Sequence, residues 1–300
     1  MNISITNVCN RHCSYCFQQG WYIHNNNKTT TKREMDPDVF KDIIEWSGLS
    51  SISVMGGEPF LHTNISNIFE ICNQKLQNIQ WISNLSINPQ IIEQLDFSSK
   101  HSCLANIDYD NQLHEKYFRK NVESLQNKAV HICLSSTITP QTDVDDLLKK
   151  ISDITKDTVV HAIRLSTLCP IPQTRFMQYD YSEKLKHLCI ALREQNLNVA
   201  TDCPIPSYEM NSDTRRLLAM NGVNIRTKSC IFNPPLDVLV DGSIVWCCSC
   251  KNVSTHYKQH VHLSDAKQLL KNKMTDYMNM TKDGMFECLC FAKYKHLGNL

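Results

Sequence analysis

No stretch of the chain approaches the roughly 20 apolar residues that span a bilayer, and its opening, MNISITNV, is too short and too polar for a signal peptide. Membrane-spanning and exported readings are set aside, and a cytoplasmic protein is expected. Nor is there a long block of one charge: 31 basic and 30 acidic side chains leave a formal +1. The basic footprint of a protein living on nucleic-acid phosphates is missing. Tyr and Trp are scattered without the stacking pattern of a single-strand binder. The 12 histidines form no cluster with carboxylates of the kind a metal hydrolase shows; His256, His260 and His262 read as part of a solvated loop.

What the chain has is bulk and thiols. Its 300 residues, 42% of them hydrophobic, suffice for one large α/β domain or a domain with a small appendage. The 15 cysteines are too sparse for a small disulfide scaffold, and their number is odd. In a reducing compartment they stay free. Grouped cysteines then read as ligands of a metal or cluster, and isolated ones as small buried apolar residues.

Short β-branched runs alternate with helical patterns through the first two-thirds of the chain: NISIT, SISVM, IQWIS, CLANID, VHICLSST, VVHAIRLS and LNVAT. Between them lie PDVFKDIIEWS, with Asp36 as N-cap and Pro37 in the first turn, NISNIFEICNQKL, QLHEKYFRKNVESLQ, DVDDLLKKISDI and SEKLKHLCIALREQN. The polar stretch NNNKTTTKR, 25 to 33, reads as a surface loop. The expected fold is α/β, a partial (β/α)6 TIM-like barrel over residues 1–209, with its active site at the carboxyl ends of the strands. Past residue 209 the alternation stops and cysteines crowd together, so 210–300 is expected to be a small cysteine-rich domain.

Cys9, Cys13 and Cys16 lie in CNRHCSYC, directly after the first strand. A structural zinc asks for four protein ligands. A cubic [4Fe-4S] cluster held by three leaves one iron open to another molecule. This loop, with aromatic Tyr15 before the third cysteine, resembles the cluster loop of the radical S-adenosylmethionine (SAM) superfamily. A second element, GGEP at Gly56 to Pro59, follows the second strand where that superfamily carries it.

The resemblance implies that the methionine end of SAM chelates the open iron while the GGEP backbone beside Glu58 accepts its amino group, the glycines admitting close approach. It implies reductive cleavage of SAM to a 5'-deoxyadenosyl radical that takes a hydrogen atom from substrate. Polar residues at the strand ends, Asn84, Asp108, Ser135, Ser136 and Arg164, would complete the SAM pocket.

Cys230 and Cys247 bracket IFNPPLDVLVDGSIVW, where DG between β-branched runs signals a hairpin that draws them together. This resembles the opening of the auxiliary-cluster domains called SPASM and twitch. By that resemblance Cys288 and Cys290 complete the ligands of a second [4Fe-4S] cluster, with Cys248 or Cys250 as alternatives to one of the four. Four thiolates equally suit zinc. The chain reaches Leu300 without a further cysteine-rich element, which favours the one-cluster form.

Cys72, Cys103, Cys133 and Cys189 read as buried apolar residues. Cys169 and Cys203 stand just beyond strand ends, placed to return a hydrogen atom to a substrate radical. The expected substrate is a ribosomally made peptide or protein residue, with a small molecule such as an aminocyclitol, sugar or nucleoside as the alternative. Its partners are expected to be an electron donor such as flavodoxin or ferredoxin and, with little chain before Cys9, a separate leader-peptide-binding protein. A non-catalytic iron-sulfur electron carrier would have no use for GGEP or an open iron.

Overall fold

The computed structural model describes residues 1–16, 34–109, 111–168, 179–201, 205, 209–226, 236–246 and 253–280, the last four through their backbone alone. Ten strands form one sheet in the order β10-β9-β8-β1-β2-β3-β4-β5-β6-β7. They are β1 (Asn2–Thr6), β2 (Ser51–Gly56), β3 (Asn78–Ser83), β4 (His101–Asn106), β5 (His131–Ile138), β6 (Ala162–Thr167), β7 (Val199–Thr201), β8 (Asp237–Val238), β9 (Ser243–Val245) and β10 (Ser254–His256). From β8 through β1 to β7 every pairing is parallel. Among the described residues the sheet is an open arc with β7 and β10 at its ends.

Eight α-helices accompany it among the described residues: α1 (Pro37–Ser47), α2 (Ile65–Lys75), α3 (Pro89–Gln94), α4 (Gln112–Asn127), α5 (Val144–Thr155), α6 (Ser182–Glu194), α7 (Ser212–Met220) and α8 (Leu263–Met280). None is long and apolar enough to cross a membrane. Local chemistry sets their ends. Asp36 caps α1 by accepting the Asp38 N–H at 2.9 Å, Pro37 opens it, and Gly48, at φ 62°, closes it. Asp143 caps α5 in the same way, accepting from Asp145 and Asp146.

Alternate residues of the central strands, Ile52 and Val54, Ile79 and Trp81, Ile132 and Leu134, Ile163 and Leu165, are buried. Trp81 stacks 5.2 Å from Phe69 of α2, which identifies this as the helix-covered face. The other face is half-exposed and more polar, with Ser53, Gln80, Ser102, Cys133, Ser135 and Arg164. Cys72, Cys103 and Cys189 are buried as expected, whereas Cys133 is half-exposed on that polar face.

Some boundaries differ from the sequence expectation. Strand β6 starts at Ala162 because Val159, included in the apolar run, is 62% exposed. Strand β4 starts at His101, whose buried ring joins Phe60, Phe69, Trp81 and Phe97. Helices α3, α7 and α8 stand beyond the sequence expectation, α3 being only six residues long. His256 ends β10 and accepts the Lys258 N–H at 3.2 Å, while His260 shares a 2.7 Å hydrogen bond with Thr255, so these two belong to ordered structure and not to a solvated loop. NNNKTTTKR lies outside the described residues.

The expected DG hairpin is present: β8 pairs antiparallel with β9 across a loop in which Gly242 adopts φ 85°. β8 in turn pairs parallel with β1, Asn2 donating to Asp237 at 2.7 Å. Trp46 of α1 donates to the His260 carbonyl at 2.9 Å. The strands from residue 237 onward therefore extend the same sheet from its β1 side, whereas Asn224 bridges to Ala200 of β7 at the other end.

Trp81 is fully buried, touches four rings and donates to His101 Nδ1 at 3.0 Å. Trp81→Ala is expected to lower stability by about 3–5 kcal/mol, read as a shift in denaturant midpoint; a loss below about 1 kcal/mol would contradict this account of the core.

Candidate functional site

β1 and β2 end side by side, and their chains stay hydrogen-bonded beyond the sheet. Thr6 Oγ1 accepts the Val8 N–H at 3.0 Å and turns the chain toward the cysteines. Gly57 N–H donates to Thr6 O, and Glu58 N–H to Val8 O, both at 2.8 Å. A Cβ on Gly56 would strike the Thr6 carbonyl. One on Gly57 would lie 2.6 Å from the Val8 carbonyl carbon and 2.9 Å from Cys9 Cβ. The close approach that requires glycine here is therefore that of the chain leading into Cys9.

The Glu58 carboxylate turns inward and is fully buried. It accepts from Phe60 N–H at 3.2 Å, capping the 3-10 turn Pro59–Leu61, from Ser83 Oγ at 2.8 Å and from Asn84 N–H at 2.8 Å. Burial pushes it up to about 7 against the pull of these three donors. GGEP thus ties the end of β2 to the end of β3.

Cys9, Cys13 and Cys16 are half-buried, and Cys16 N–H closes a turn onto Cys13 O at 3.0 Å. Cys9 Sγ receives the Arg11 backbone N–H at 3.4 Å and Asn84 Nδ2 at 3.8 Å. Burial, with like charges nearby, pushes the Cys9 thiol up to about 11. The Arg11 side chain runs inward, 4% exposed, and Nη1 donates to Asn106 Oδ1 at 3.2 Å.

At the other end of the loop Tyr15 donates to Asp108 Oδ2 at 2.5 Å. Asp108 also accepts from Ser136 Oγ at 2.6 Å, and from Asn106 Nδ2 and Thr137 N–H at 3.2 Å each. Burial, and then the Asp108 charge, hold the Tyr15 hydroxyl well above its ordinary range. On β5, Ser135 stands in register between Asn106 of β4 and Arg164 of β6.

The structure thus gathers Cys9, Cys13, Cys16, Tyr15, Gly56, Gly57, Glu58, Asn84, Asp108 and Ser136 at the carboxyl ends of β1 to β5 and the loops they lead into, while Ser135 and Arg164 lie level with Asn106 within β5 and β6. Asn10, Arg11, Ser83, Asn106 and Thr137 join them. Asn10 and Arg11 could have been singled out from their place inside the cysteine spacing; the others have no signal beyond being polar near a strand end. Cys169, Cys203, Cys230, Cys247, Cys248, Cys250, Cys288 and Cys290 lie outside the described residues.

Among the described residues no three His, Cys, Asp or Glu side chains converge as ligands of one metal ion. Three thiols on one loop fit a polynuclear cluster instead, in which each sulfur binds a different iron. The Gly57 cradle supports the same fit, since it seats the first of the three against the sheet.

A family model described as the Radical SAM superfamily matches residues 3–167. The chain is 28% identical over 176 residues to a probable GTP 3',8-cyclase of Methanococcus aeolicus, covering 51% of this chain and 56% of the relative. It is 29% identical over 144 residues to the protein of the same description from Methanocaldococcus jannaschii, covering 45% and 46%. The chain thus spans about half the length of the curated relatives it matches. Among solved structures it resembles Streptococcus suis SuiB bound to S-adenosylmethionine, with TM-score 0.60, 12% identity, and coverage of 92% of this chain and 67% of that one. It also resembles SuiB bound to its precursor peptide SuiA, with TM-score 0.55, 12% identity, and coverage of 82% and 58%. At such identity the likeness is one of fold: α/β, with a parallel sheet of many strands.

Gly57→Ala is expected to cost about 1–3 kcal/mol through overpacking and to reduce the iron retained after anaerobic reconstitution. Unchanged iron and stability would mean that the cradle does not seat Cys9. For Glu58 the folded chain holds a proton more tightly than the unfolded one, so its contribution to stability falls as pH rises from about 4.5 to about 7. Glu58→Gln should remove that slope while costing about 1–3 kcal/mol at low pH, where an amide N–H meets a donor. Denaturation midpoints of both chains across this range check it.

Proposed function

The chain belongs to the radical SAM superfamily, and on that premise we propose that it is an enzyme that cleaves SAM reductively to modify a residue of a peptide or protein. The observation that carries this reading is the pairing of two elements: the three-thiol loop after β1 and GGEP after β2, hydrogen-bonded to each other at Gly57–Thr6 and Glu58–Val8. The superfamily implies a [4Fe-4S] cluster and SAM, which when bound supply a 5'-deoxyadenosyl radical able to take a hydrogen atom from substrate.

Cys9, Cys13 and Cys16 would hold the cluster by three of its irons. The N–H groups of Gly57 and Glu58 already serve the Cys loop, so carbonyl oxygens are what this turn offers to the amino group of SAM. Tyr15, Asp108, Ser135, Ser136 and Arg164 would stand around that position as the polar wall of the SAM pocket, while the Asn84 amide, expected among them, is turned to Cys9 and Asn10. Asp108, bonded to Tyr15 and Ser136, locks the loop to β5 and keeps the wall from shifting. Cys169 and Cys203 follow β6 and β7 in the chain, and either would return a hydrogen atom to the substrate radical in an epimerisation.

We take residues 1–209 as the SAM-binding unit and 210–300 as an appended unit of SPASM or twitch type. The hairpin β8–β9 supports this, lying between Cys230 and Cys247 in sequence. These two, with Cys288 and Cys290, or Cys248 or Cys250 in place of one, would hold a second [4Fe-4S] cluster. In an oxidation such a cluster would accept the electron left on the substrate radical after hydrogen-atom loss, while a flavodoxin or ferredoxin would supply the separate electron that reduces the SAM-binding cluster. A separate leader-peptide-binding protein would deliver the peptide.

Two observations favour a peptide. The likeness to SuiB extends over 92% of this chain, whereas the match to the cyclases stops at about half. Among the described residues the sheet is also open at both edges, which suits a long substrate better than an enclosed small one. The second reading, a nucleotide or other small molecule, rests on the description of those cyclases as acting on GTP.

Anaerobic chain reconstituted with iron and sulfide, given SAM and dithionite, should release 5'-deoxyadenosine, and Cys13→Ala should release none; equal release by both would refute the assignment of the loop. A short peptide encoded beside the gene should change mass on incubation. Conversion of GTP instead, with the peptide untouched, would establish the second reading.

A further inference from the structure

The Asn84 side chain is committed within the protein. Nδ2 lies 3.8 Å from Cys9 Sγ and 3.0 Å from Asn10 Oδ1, and Oδ1 accepts the Ser86 N–H at 2.7 Å. Asn10 returns the contact by donating to Ser86 O at 2.7 Å. The turn that presents this amide is strained. Leu85, fully buried, adopts φ 49°, a left-handed conformation unfavourable for a non-glycine residue.

Such a residue persists only where its surroundings over-determine it, and here three buried side chains do so. From α4, Asn121 Nδ2 donates to both Leu85 O, at 2.8 Å, and Ile87 O, at 2.9 Å. From the other side, the Glu58 carboxylate accepts the Asn84 N–H, and Ser83 Oγ accepts the Leu85 N–H at 2.9 Å. A strained turn clamped on both sides, with its one outward amide directed at the sulfur of a cluster cysteine, calls for a purpose at that sulfur.

We propose that Asn84 is a positioning residue for the cluster, donating an N–H···S hydrogen bond to Cys9 that, together with the Arg11 backbone N–H, tunes the cluster's reduction potential. The inference rests on the reading of Cys9 as a cluster ligand. Hydrogen bonds to a ligating sulfur withdraw electron density from it and so favour the reduced cluster. The purpose of the clamp is then to keep a cluster of low potential within reach of its electron donor.

The test is a redox titration of the reconstituted chain, following the paramagnetic signal of the reduced [4Fe-4S] cluster without SAM, beside a SAM-binding measurement. Asn84→Ala should move the midpoint to more negative values, with SAM affinity changed by less than about twofold. Asn84→Ser, too short to reach the sulfur, should do the same and keeps the test open if the alanine variant loses iron. Asn121→Leu touches neither cysteine nor SAM pocket, and should shift the midpoint in the same direction by releasing the turn. An unmoved midpoint in iron-replete Asn84 variants overturns the proposal, above all if SAM affinity falls tenfold or more, which would make Asn84 a SAM ligand. A wild-type chain without any such signal would refute the cluster reading itself, and this inference with it.

Discussion

Two backbone hydrogen bonds, Gly57 N–H to Thr6 O and Glu58 N–H to Val8 O, hold the site to the fold. They extend the β1–β2 pairing past the sheet, so the chain leaves β1 along a rigid track and not as a free loop. Because the track runs where a Cβ would have to be, both glycines are required. Cys9 is thereby delivered at a place set by the sheet, and Cys13 and Cys16 follow within a short turn. A loop ordered before metal arrives loses less conformational entropy on binding it.

Two carboxylates then distribute this order. Glu58, sealed from water, gathers donors from the turn after β2, the end of β3 and the residue that follows it; Asp108 gathers them from the cysteine loop, β4 and β5. Each uses its several acceptor positions to hold chain segments remote in sequence, as a buried carboxylate must if its desolvation is to be offset. Beside them Ser135 and Arg164 lie in register on the half-exposed polar face of β5 and β6.

On the far side of β1 the chain adds β8, β9 and β10 to the same sheet. The strand that carries the cysteine loop is thus central, paired on both edges. Packing of Trp46 against Tyr257, with ring centroids 6.0 Å apart, fastens the added strands to α1. A change in the appended segment therefore acts on β1 directly, through shared hydrogen bonds.

By itself the amino-acid sequence determined what is local or periodic. The alternation of βα units, the capped start of α1, the DG hairpin and the two short motifs after β1 and β2 all depend on residues near one another in the chain, and each was legible. The pairing of β8 with β1 and the direction of the Glu58 carboxylate were not. They depend on contacts between residues up to 235 positions apart, as for Asn2 and Asp237, and no spacing rule reaches that far. The same limit separates the parts of the site. Cysteine spacing exposes Cys9, Cys13 and Cys16 because their chemistry needs one loop. That Asn84 meets Cys9 while Asp108 meets Tyr15 was decided only when parallel pairing brought the ends of β1, β3, β4 and β5 together.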